Sequence, residues 1–176
     1  KPIPCIQLLH CLENEVKGGL STLVDGFAVA EYLRKNYQDI FEILTKTKVR
    51  FRFVDKTIIL ENWGELIELD ENQKIKQVRY STRLDYVPAL EKKELKLFYK
   101  ARKLIADLYA SSKFEIRFRL DKGDLLMMDN HRLLHGRTSY DVSEGKRYLK
   151  GCYIDHDSTE GKLRHLERKF NLKWKK

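Results

Sequence analysis

Short apolar runs of strand length, separated by turn residues, recur along most of this 176-residue sequence. They are "CIQLLHCLE", "STLVDG", "VRFRFVD", "TIILEN", "FEIRFRL", "DLLMMD" and "RYLKGCYI", with two further strands around the polar turn "DENQ". Runs of this kind, bounded by Gly, Asp and Asn, are typical of β-strands. Because they do not alternate regularly with helices, the pattern argues against a doubly wound α/β fold. It favours a mainly β fold with inserted helices, a double-stranded β-helix of the jelly-roll type.

Helical periodicity appears in three segments. Residues 27–47 form one helical stretch that we expect to break near Asn36, and residues 158–170 form another. The clearest helix covers residues 91–112, with one apolar stripe formed by Leu95, Phe98, Ala101, Leu104, Ile105 and Leu108. No internal repeat, low-complexity tract or linker interrupts the chain. The sequence therefore predicts a single domain over residues 1–176.

The net charge of +9 raises the question of a nucleic-acid partner. The basic residues are spread along the chain, however, and only the terminal "NLKWKK" is a true cluster. No RNA- or DNA-binding motif is present, so we interpret the charge as a solvated surface that attracts small anions and predict no nucleic-acid partner. No apolar run reaches the roughly 18 residues that a membrane-spanning helix needs, so no membrane association is expected.

Three cysteines, Cys5, Cys11 and Cys152, show no CxxC spacing. Neither a disulfide framework nor a zinc knuckle is therefore expected, and a reducing cytoplasm is the predicted compartment. Cys5 and Cys11 are six residues apart within a predicted strand. We expect both to share one face and to pack as small hydrophobic residues.

Two of the five histidines lie in "DNHRLLHGRTSY", four residues apart. A helical metal pair of His131 and His135 is a weak hypothesis, because the flanking sequence indicates strand and loop and no Glu follows the first His. The "HLE" of His165 and Glu167 lies in a charged helix, where residues two apart do not face each other, and is rejected as a site. His10, within a strand, is interpreted as a core histidine.

A hairpin that folds about Asp141 would place His135 directly opposite Arg147. Alternation along the second strand would put Arg147 on the same face as Tyr153. A guanidinium on an interior face needs an anionic partner, because an unpaired buried charge is costly. The carboxylate of a ligand could supply that partner, but the sequence equally allows Arg147 to point outward or to pair with another acidic residue.

Four segments together resemble one known family. These are "IQLLHCLENEVKGGLSTLVDGF", "FYKAR", "GDLLMMDNHRLLHGRTSY" and "RYLKGCYIDHD". They are similar to the gamma-butyrobetaine and trimethyllysine hydroxylase branch of the taurine-dioxygenase-like, Fe(II)- and 2-oxoglutarate-dependent oxygenases. The resemblance runs from about Ile6 to Arg168 and implies hydroxylation of a small betaine-like substrate. The leading candidate reaction is the conversion of gamma-butyrobetaine to carnitine. The alternative substrate is trimethyllysine or another small molecule. The alternative class of protein is a non-catalytic basic β-sandwich binding module without a metal site.

The resemblance also implies roles for individual residues. His135 corresponds to the distal His of the two-His, one-carboxylate iron site of the family. Arg147 corresponds to the Arg that holds the far carboxylate of 2-oxoglutarate, and Ser21 to a residue near that cosubstrate. Tyr153 corresponds to one wall of an aromatic cage around a trimethylammonium group, which cation–π attraction favours. Expected cofactors are Fe(II) and 2-oxoglutarate, with ascorbate as a candidate reductant and dioxygen as the second substrate; a homodimer is one expected assembly.

The family's His-x-Asp ligand pair precedes the "IQLLHC" strand, upstream of Lys1. We therefore expect residues 1–176 to be the C-terminal portion of one catalytic domain, lacking its N-terminal part and inactive alone. The chain departs from the family at His131, where relatives often have an aromatic, and at Leu20, where an acidic residue is common. "RYSTR" replaces an asparagine-containing segment that contacts substrate in some relatives. These departures leave the substrate open.

Overall fold

A computed structural model describes residues 5–172 of the chain. The strand expected at the first four residues and most of the basic "NLKWKK" cluster lie outside this range. The strands are β1 (Ile6–Asn14), β2 (Ser21–Asp25), β3 (Lys48–Val54), β4 (Ile59–Glu65), β5 (Ile67–Leu69), β6 (Ile75–Val78), β7 (Asp85–Tyr86), β8 (Glu115–Phe118), β9 (Leu125–Asp129), β10 (Leu133–Arg137) and β11 (Arg147–Ile154). The helices are α1 (Gly26–Asn36), α2 (Gln38–Lys46), α3 (Lys92–Tyr109) and α4 (His156–Phe170), with a 3-10 turn at Val142–Glu144.

Two three-stranded antiparallel sheets form the jelly roll. Sheet I has the order β11-β1-β9, and sheet II has the order β10-β2-β8. Successive strands alternate between the sheets: β1 is in sheet I and β2 in sheet II, and β8 to β11 switch sheet at every step. This alternation is the winding of a double-stranded β-helix, so the predicted fold class is confirmed.

The main core lies between sheet II and the helices inserted between β2 and β8. Val24 and Leu134, from neighbouring strands of sheet II, join this core from one side. Its fully buried members include Leu33 of α1, Leu44 of α2 and Phe98 of α3. Burial of each such side chain contributes about 1.5–3 kcal/mol to stability.

The inserted helices follow their sequence signals. Asp25 caps α1 by accepting hydrogen bonds from the backbone N–H groups of Phe27 (3.0 Å) and Ala28 (3.4 Å). The chain breaks at Tyr37, one residue after the predicted position, and α2 follows at once. The predicted stripe of α3 is also confirmed, since Phe98, Ala101 and Ile105 are fully buried and Leu95, Leu104 and Leu108 are half-buried.

A smaller β layer extends from the helical side. It contains the β4-β3-β7 sheet and the β5-β6 ladder around "DENQ". An ion pair of 2.8 Å joins Asp85 of β7 to Arg102 of α3, and the Asp85 side chain is only 3% exposed. This pair attaches the short edge strand to the long helix.

The hairpin expected about Asp141 is not formed. His135 of β10 lies opposite Leu23 of β2, whereas Arg147 of β11 lies opposite Asn14 of β1. The segment between β10 and β11 is a corner that carries the chain from sheet II to sheet I. Alternation within each strand is the same in both topologies, so it could not distinguish a hairpin from this crossing. The two residues therefore belong to different sheets.

One smaller expectation is also corrected. His10 is exposed rather than in the core, because it follows the face of β1 opposite to that of the buried Gln7 and Cys11. Cys11 is fully buried as predicted, and Cys5, which directly precedes β1, is half-buried. No helix among residues 5–172 is long and apolar enough to cross a bilayer.

Candidate functional site

One face of sheet II carries Ser21, Leu23, His135 and Arg137. His135 lies opposite Leu23, and Arg137 lies opposite Ser21, and directly opposed residues share a face. The other face of the same strands supplies Val24 and Leu134 to the helical core. The His135 face is therefore directed away from the helices. The structure brings Ser21 and His135, two predicted site residues, onto this common face.

The imidazole of His135 suits a metal ligand. Its side chain reaches the surface, yet desolvation by the surrounding protein lowers the pKa of His135 below its ordinary value. The neutral ring, with one nitrogen lone pair free, is the form that coordinates a metal, and it is favoured near pH 7. Within residues 5–172, no group of three closely spaced His, Cys, Asp or Glu donors includes His135. His135 as an iron ligand stays a prediction.

Arg147 is half-buried and turned toward the chain segment that enters β2. One terminal guanidinium nitrogen, NH2, donates to the backbone carbonyl of Gly19 at 3.3 Å. Its Nε is buried and has no hydrogen-bond partner among the described residues. No carboxylate of residues 5–172 forms an ion pair with it. A partly desolvated guanidinium with an unused N–H fits the carboxylate of a small ligand.

Glycine is required next to this arginine. Gly19 has a φ of +68°, and a Cβ on it would lie 3.0 Å from Nε of Arg147. A side chain at this position would thus strain the backbone and displace the guanidinium. Gly19 is two residues before Ser21, which is itself only 6% exposed. The "GGLS" segment consequently places Ser21 in the neighbourhood of Arg147.

Arg137 and Tyr140, which the sequence did not indicate as site residues, also belong to this region. The guanidinium carbons of Arg137 and Arg147 lie 4.6 Å and 5.4 Å from the centroid of the Tyr140 ring. Tyr140 thus contacts two guanidinium groups, one of which belongs to Arg137, the residue opposite Ser21. The signal was present in "HGRTSY", but only the crossing between the sheets places Tyr140 against Arg147.

Tyr153 is on β11 opposite Gln7 of β1. Gln7 is 5% exposed and Met128, opposite it on β9, is 2% exposed, so this is the buried face of sheet I. Tyr153 itself is 58% exposed, whereas Met128, on the other edge strand of the described sheet, is buried. Alternation puts Arg147 on the same face, as predicted. The ring is accessible to a ligand, and its cage role stays a prediction.

His131 belongs to a group of side chains that does not include His135. It lies next to His156, with ring centroids 5.2 Å apart, and Cys5 completes a group of donors at one end of sheet I. The rejected His165 and Glu167 pair lies on α4 and takes part in no such group within the described residues. Of the two histidines in "DNHRLLHG", His135 therefore lies on one face of sheet II and His131 lies at one end of sheet I.

Comparison with known proteins identifies the family. The model of the taurine catabolism dioxygenase TauD, TfdA family matches residues 1–153. The chain belongs to this family. Human gamma-butyrobetaine dioxygenase is 34% identical over 171 residues, and that of Pseudomonas sp. (strain AK-1) is 33% identical over 165 residues. Trimethyllysine dioxygenase of Meyerozyma guilliermondii is 33% identical over 168 residues.

The matches cover only part of these relatives. The alignments include 94% of this chain but 44% of the human protein and 43% of the Pseudomonas protein, and 93% of this chain but 41% of the yeast protein. The chain therefore spans less than half the length of the curated relatives that it matches.

Solved structures of other proteins share the fold. AAD-2 in complex with Mn(II) and N-oxalylglycine superposes with a TM-score of 0.66 at 16% identity, over 86% of this chain and 63% of that one. OrfP in complex with Fe and alpha-ketoglutaric acid superposes with a TM-score of 0.62 at 18% identity, over 93% of this chain and 49% of that one. These similarities support the jelly-roll assignment.

Proposed function

We propose that the protein is an Fe(II)- and 2-oxoglutarate-dependent dioxygenase that hydroxylates a small betaine-like substrate, with gamma-butyrobetaine as the first candidate. The observation that carries the proposal is Arg147, half-buried beside Gly19 with an unpartnered buried Nε. An enzyme of this class must hold a dicarboxylate cosubstrate, and this guanidinium fits one carboxylate of it. Family membership and relatives named gamma-butyrobetaine dioxygenase support the assignment.

Each residue has a defined task in this proposal. Arg147 donates to the distal carboxylate of 2-oxoglutarate, with the buried Ser21 close by. His135 supplies a neutral imidazole to Fe(II), and the oxidising chemistry is what bound iron, 2-oxoglutarate and dioxygen supply. Tyr153, on the face of Arg147, contacts the cationic end of the substrate. The chain's contribution is to bind, orient and exclude water.

We further propose that residues 1–176 form the C-terminal portion of one catalytic domain. Two facts support this: the chain spans less than half of its relatives, and His135 belongs to no three-donor group within residues 5–172. The remaining iron ligands would then come from a preceding segment.

The test is coupled turnover by the full-length protein. With Fe(II) and 2-oxoglutarate present, we expect succinate to form in step with hydroxylated gamma-butyrobetaine, measured by mass spectrometry. Trimethyllysine and other small carboxylic acids are tested in parallel. Coupled turnover of trimethyllysine alone would replace the substrate assignment. Absence of 2-oxoglutarate binding in a calorimetric titration would instead favour a non-catalytic binding module.

A further inference from the structure

Three segments that are remote in sequence meet at one end of sheet I. Cys5 directly precedes β1, His131 follows β9, and His156 is the first residue of α4. The strand register explains the meeting, because Ile6 lies opposite Asp129 of β9 and opposite Ile154 of β11. A backbone hydrogen bond of 2.7 Å from the N–H of Asn130 to the carbonyl of Cys5 closes this corner.

The side chains at this corner offer a compact set of metal donors. The Sγ of Cys5 and one ring nitrogen each of His131 and His156 all lie within 4.8 Å of one another. Tetrahedral zinc with one sulfur and two nitrogen ligands requires donor separations of roughly 3.3–3.6 Å, given its bond lengths. Rotation of half-buried side chains can close the difference. Thiolate and imidazole together are the donors that zinc prefers in proteins.

An acidic side chain supports the same group. The Oδ1 of Asp129 lies 3.6 Å from Nε2 of His156 and accepts a hydrogen bond of 2.9 Å from the backbone N–H of His131. Carboxylates commonly orient the imidazole of a metal-bound histidine in this manner. The arrangement therefore includes both the donors and a residue that positions one of them.

This corner is separate from the proposed iron site. His135, the proposed iron ligand, is on β10 and lies opposite Leu23 of β2 in sheet II, whereas Cys5 directly precedes β1 of sheet I. His135 is not a member of the group. A metal at this corner would thus be distinct from the catalytic iron.

We propose that Cys5, His131 and His156 form a structural transition-metal site that binds Zn(II), with Asp129 as the orienting carboxylate. Its role is to attach α4 and the turn between β9 and β10 to the start of β1. No described residue of α4 is fully buried, so apolar packing contributes little to holding this helix in place. A metal bond from its first residue would supply that attachment. The proposal does not depend on the enzymatic activity.

The test measures metal binding directly. Full-length protein is stripped with a chelator and reloaded with Zn(II) or with Co(II), whose thiolate complexes have a charge-transfer band in the near ultraviolet. We expect that band in the native protein. Cys5→Ser should abolish it, and both Cys5→Ser and His156→Gln should weaken zinc at this site by about tenfold or more, since affinity depends on the full ligand set. His131→Gln provides a second histidine variant if His156→Gln fails to fold.

Matched controls distinguish this site from other donors. Cys152→Ser removes an exposed free cysteine, and His165→Gln removes an exposed histidine of α4; both should retain the cobalt band. His135→Ala should also retain it, since His135 belongs to the proposed iron site. A Cys5→Ser protein with an unchanged band would overturn the proposal. Loss of the band in His135→Ala, with the band unchanged in His156→Gln, would overturn it as well, because the metal would then occupy the iron site.

Discussion

Arg147 and Gly19 lie against each other at the corner between the two sheets. The guanidinium donates to the carbonyl of Gly19 at 3.3 Å, and a Cβ on Gly19 would be 3.0 Å from Nε. The left-handed backbone at Gly19 and the orientation of Arg147 are therefore coupled. If Arg147 binds a carboxylate, a change at Gly19 acts on that binding without removing the charge.

Gly19→Ala should weaken 2-oxoglutarate binding by roughly tenfold, equivalent to about 1.4 kcal/mol, because the added methyl displaces the guanidinium. Strain in the left-handed conformation should also cost roughly 1–2 kcal/mol of folding stability. Gly123→Ala is the control, since Gly123 also has a positive φ (+98°) but a Cβ there would meet no atom within 4 Å. Calorimetric titration of both variants would separate backbone strain from the effect on the ligand. Equal affinities in the two variants would contradict the coupling.

Arg147→Ala should weaken 2-oxoglutarate by about ten- to a hundredfold or more, since each charge-assisted hydrogen bond contributes about 1.5–3 kcal/mol. Arg147→Lys should recover only part of this, because an ammonium lacks the planar fork. Lys150→Ala, on the opposite face of β11, should change nothing. The measurement is the KM for each substrate in the full-length protein. A defect confined to the betaine would remove Arg147 from the cosubstrate site.

His135 should make stability depend on pH. Desolvation by the surrounding protein lowers the pKa of His135 in the folded state. The unfolded chain keeps a His135 pKa near 6.5. Between these two pKa values the unfolded chain therefore binds more protons than the folded chain does. Stability should therefore fall as pH drops through this window, and it is retained above it. In metal-free protein, His135→Gln should lose less stability between pH 7.5 and pH 5 than the native chain does. Urea unfolding at both pH values, with His165→Gln as control, measures the difference; equal slopes would argue against it.

The Asp85–Arg102 ion pair should stabilise the attachment of the smaller β layer to α3. Because Asp85 is 3% exposed, Asp85→Ala leaves Arg102 without its partner and should cost about 3–5 kcal/mol. The control is Glu160→Ala, which breaks a surface pair between Glu160 and Arg164 whose side chains are 59% and 75% exposed. That change should cost about 0.5 kcal/mol or less. Urea denaturation of both variants gives the comparison, and similar losses would show that burial does not matter here.

Local features of this fold were predictable from sequence, whereas strand pairing was not. The bounds of β11 and the break between α1 and α2 follow from alternation and helical periodicity, which are properties of neighbouring residues. The partner of His135 depends on which sheet the chain enters after Tyr140. A local pattern does not contain that information, so a hairpin was expected where the chain crosses to the other sheet.

The site shows the same division. Ser21, His135, Arg147 and Tyr153 were identified through a resemblance, and the structure places the first two on one face of sheet II and the last two on one face of sheet I. The group of Cys5, His131 and His156 has no sequence signature, because its members come from three segments that only the register of β1 brings together. Short metal motifs require ligands that are close in sequence.

The last prediction concerns Tyr153. If its exposed ring contacts a trimethylammonium group, the attraction is about 0.5–2 kcal/mol, which corresponds to a roughly two- to thirtyfold change in affinity. Tyr153→Ala should raise the KM for gamma-butyrobetaine by that factor, and Tyr153→Phe should stay close to the native value because the ring is kept. Tyr148→Ala is the matched control, since Tyr148 is similarly exposed but alternates onto the other face of β11. The KM for 2-oxoglutarate should stay constant throughout. If the KM for 2-oxoglutarate increased and the KM for gamma-butyrobetaine did not change, Tyr153 would contact 2-oxoglutarate and not the trimethylammonium group of the substrate.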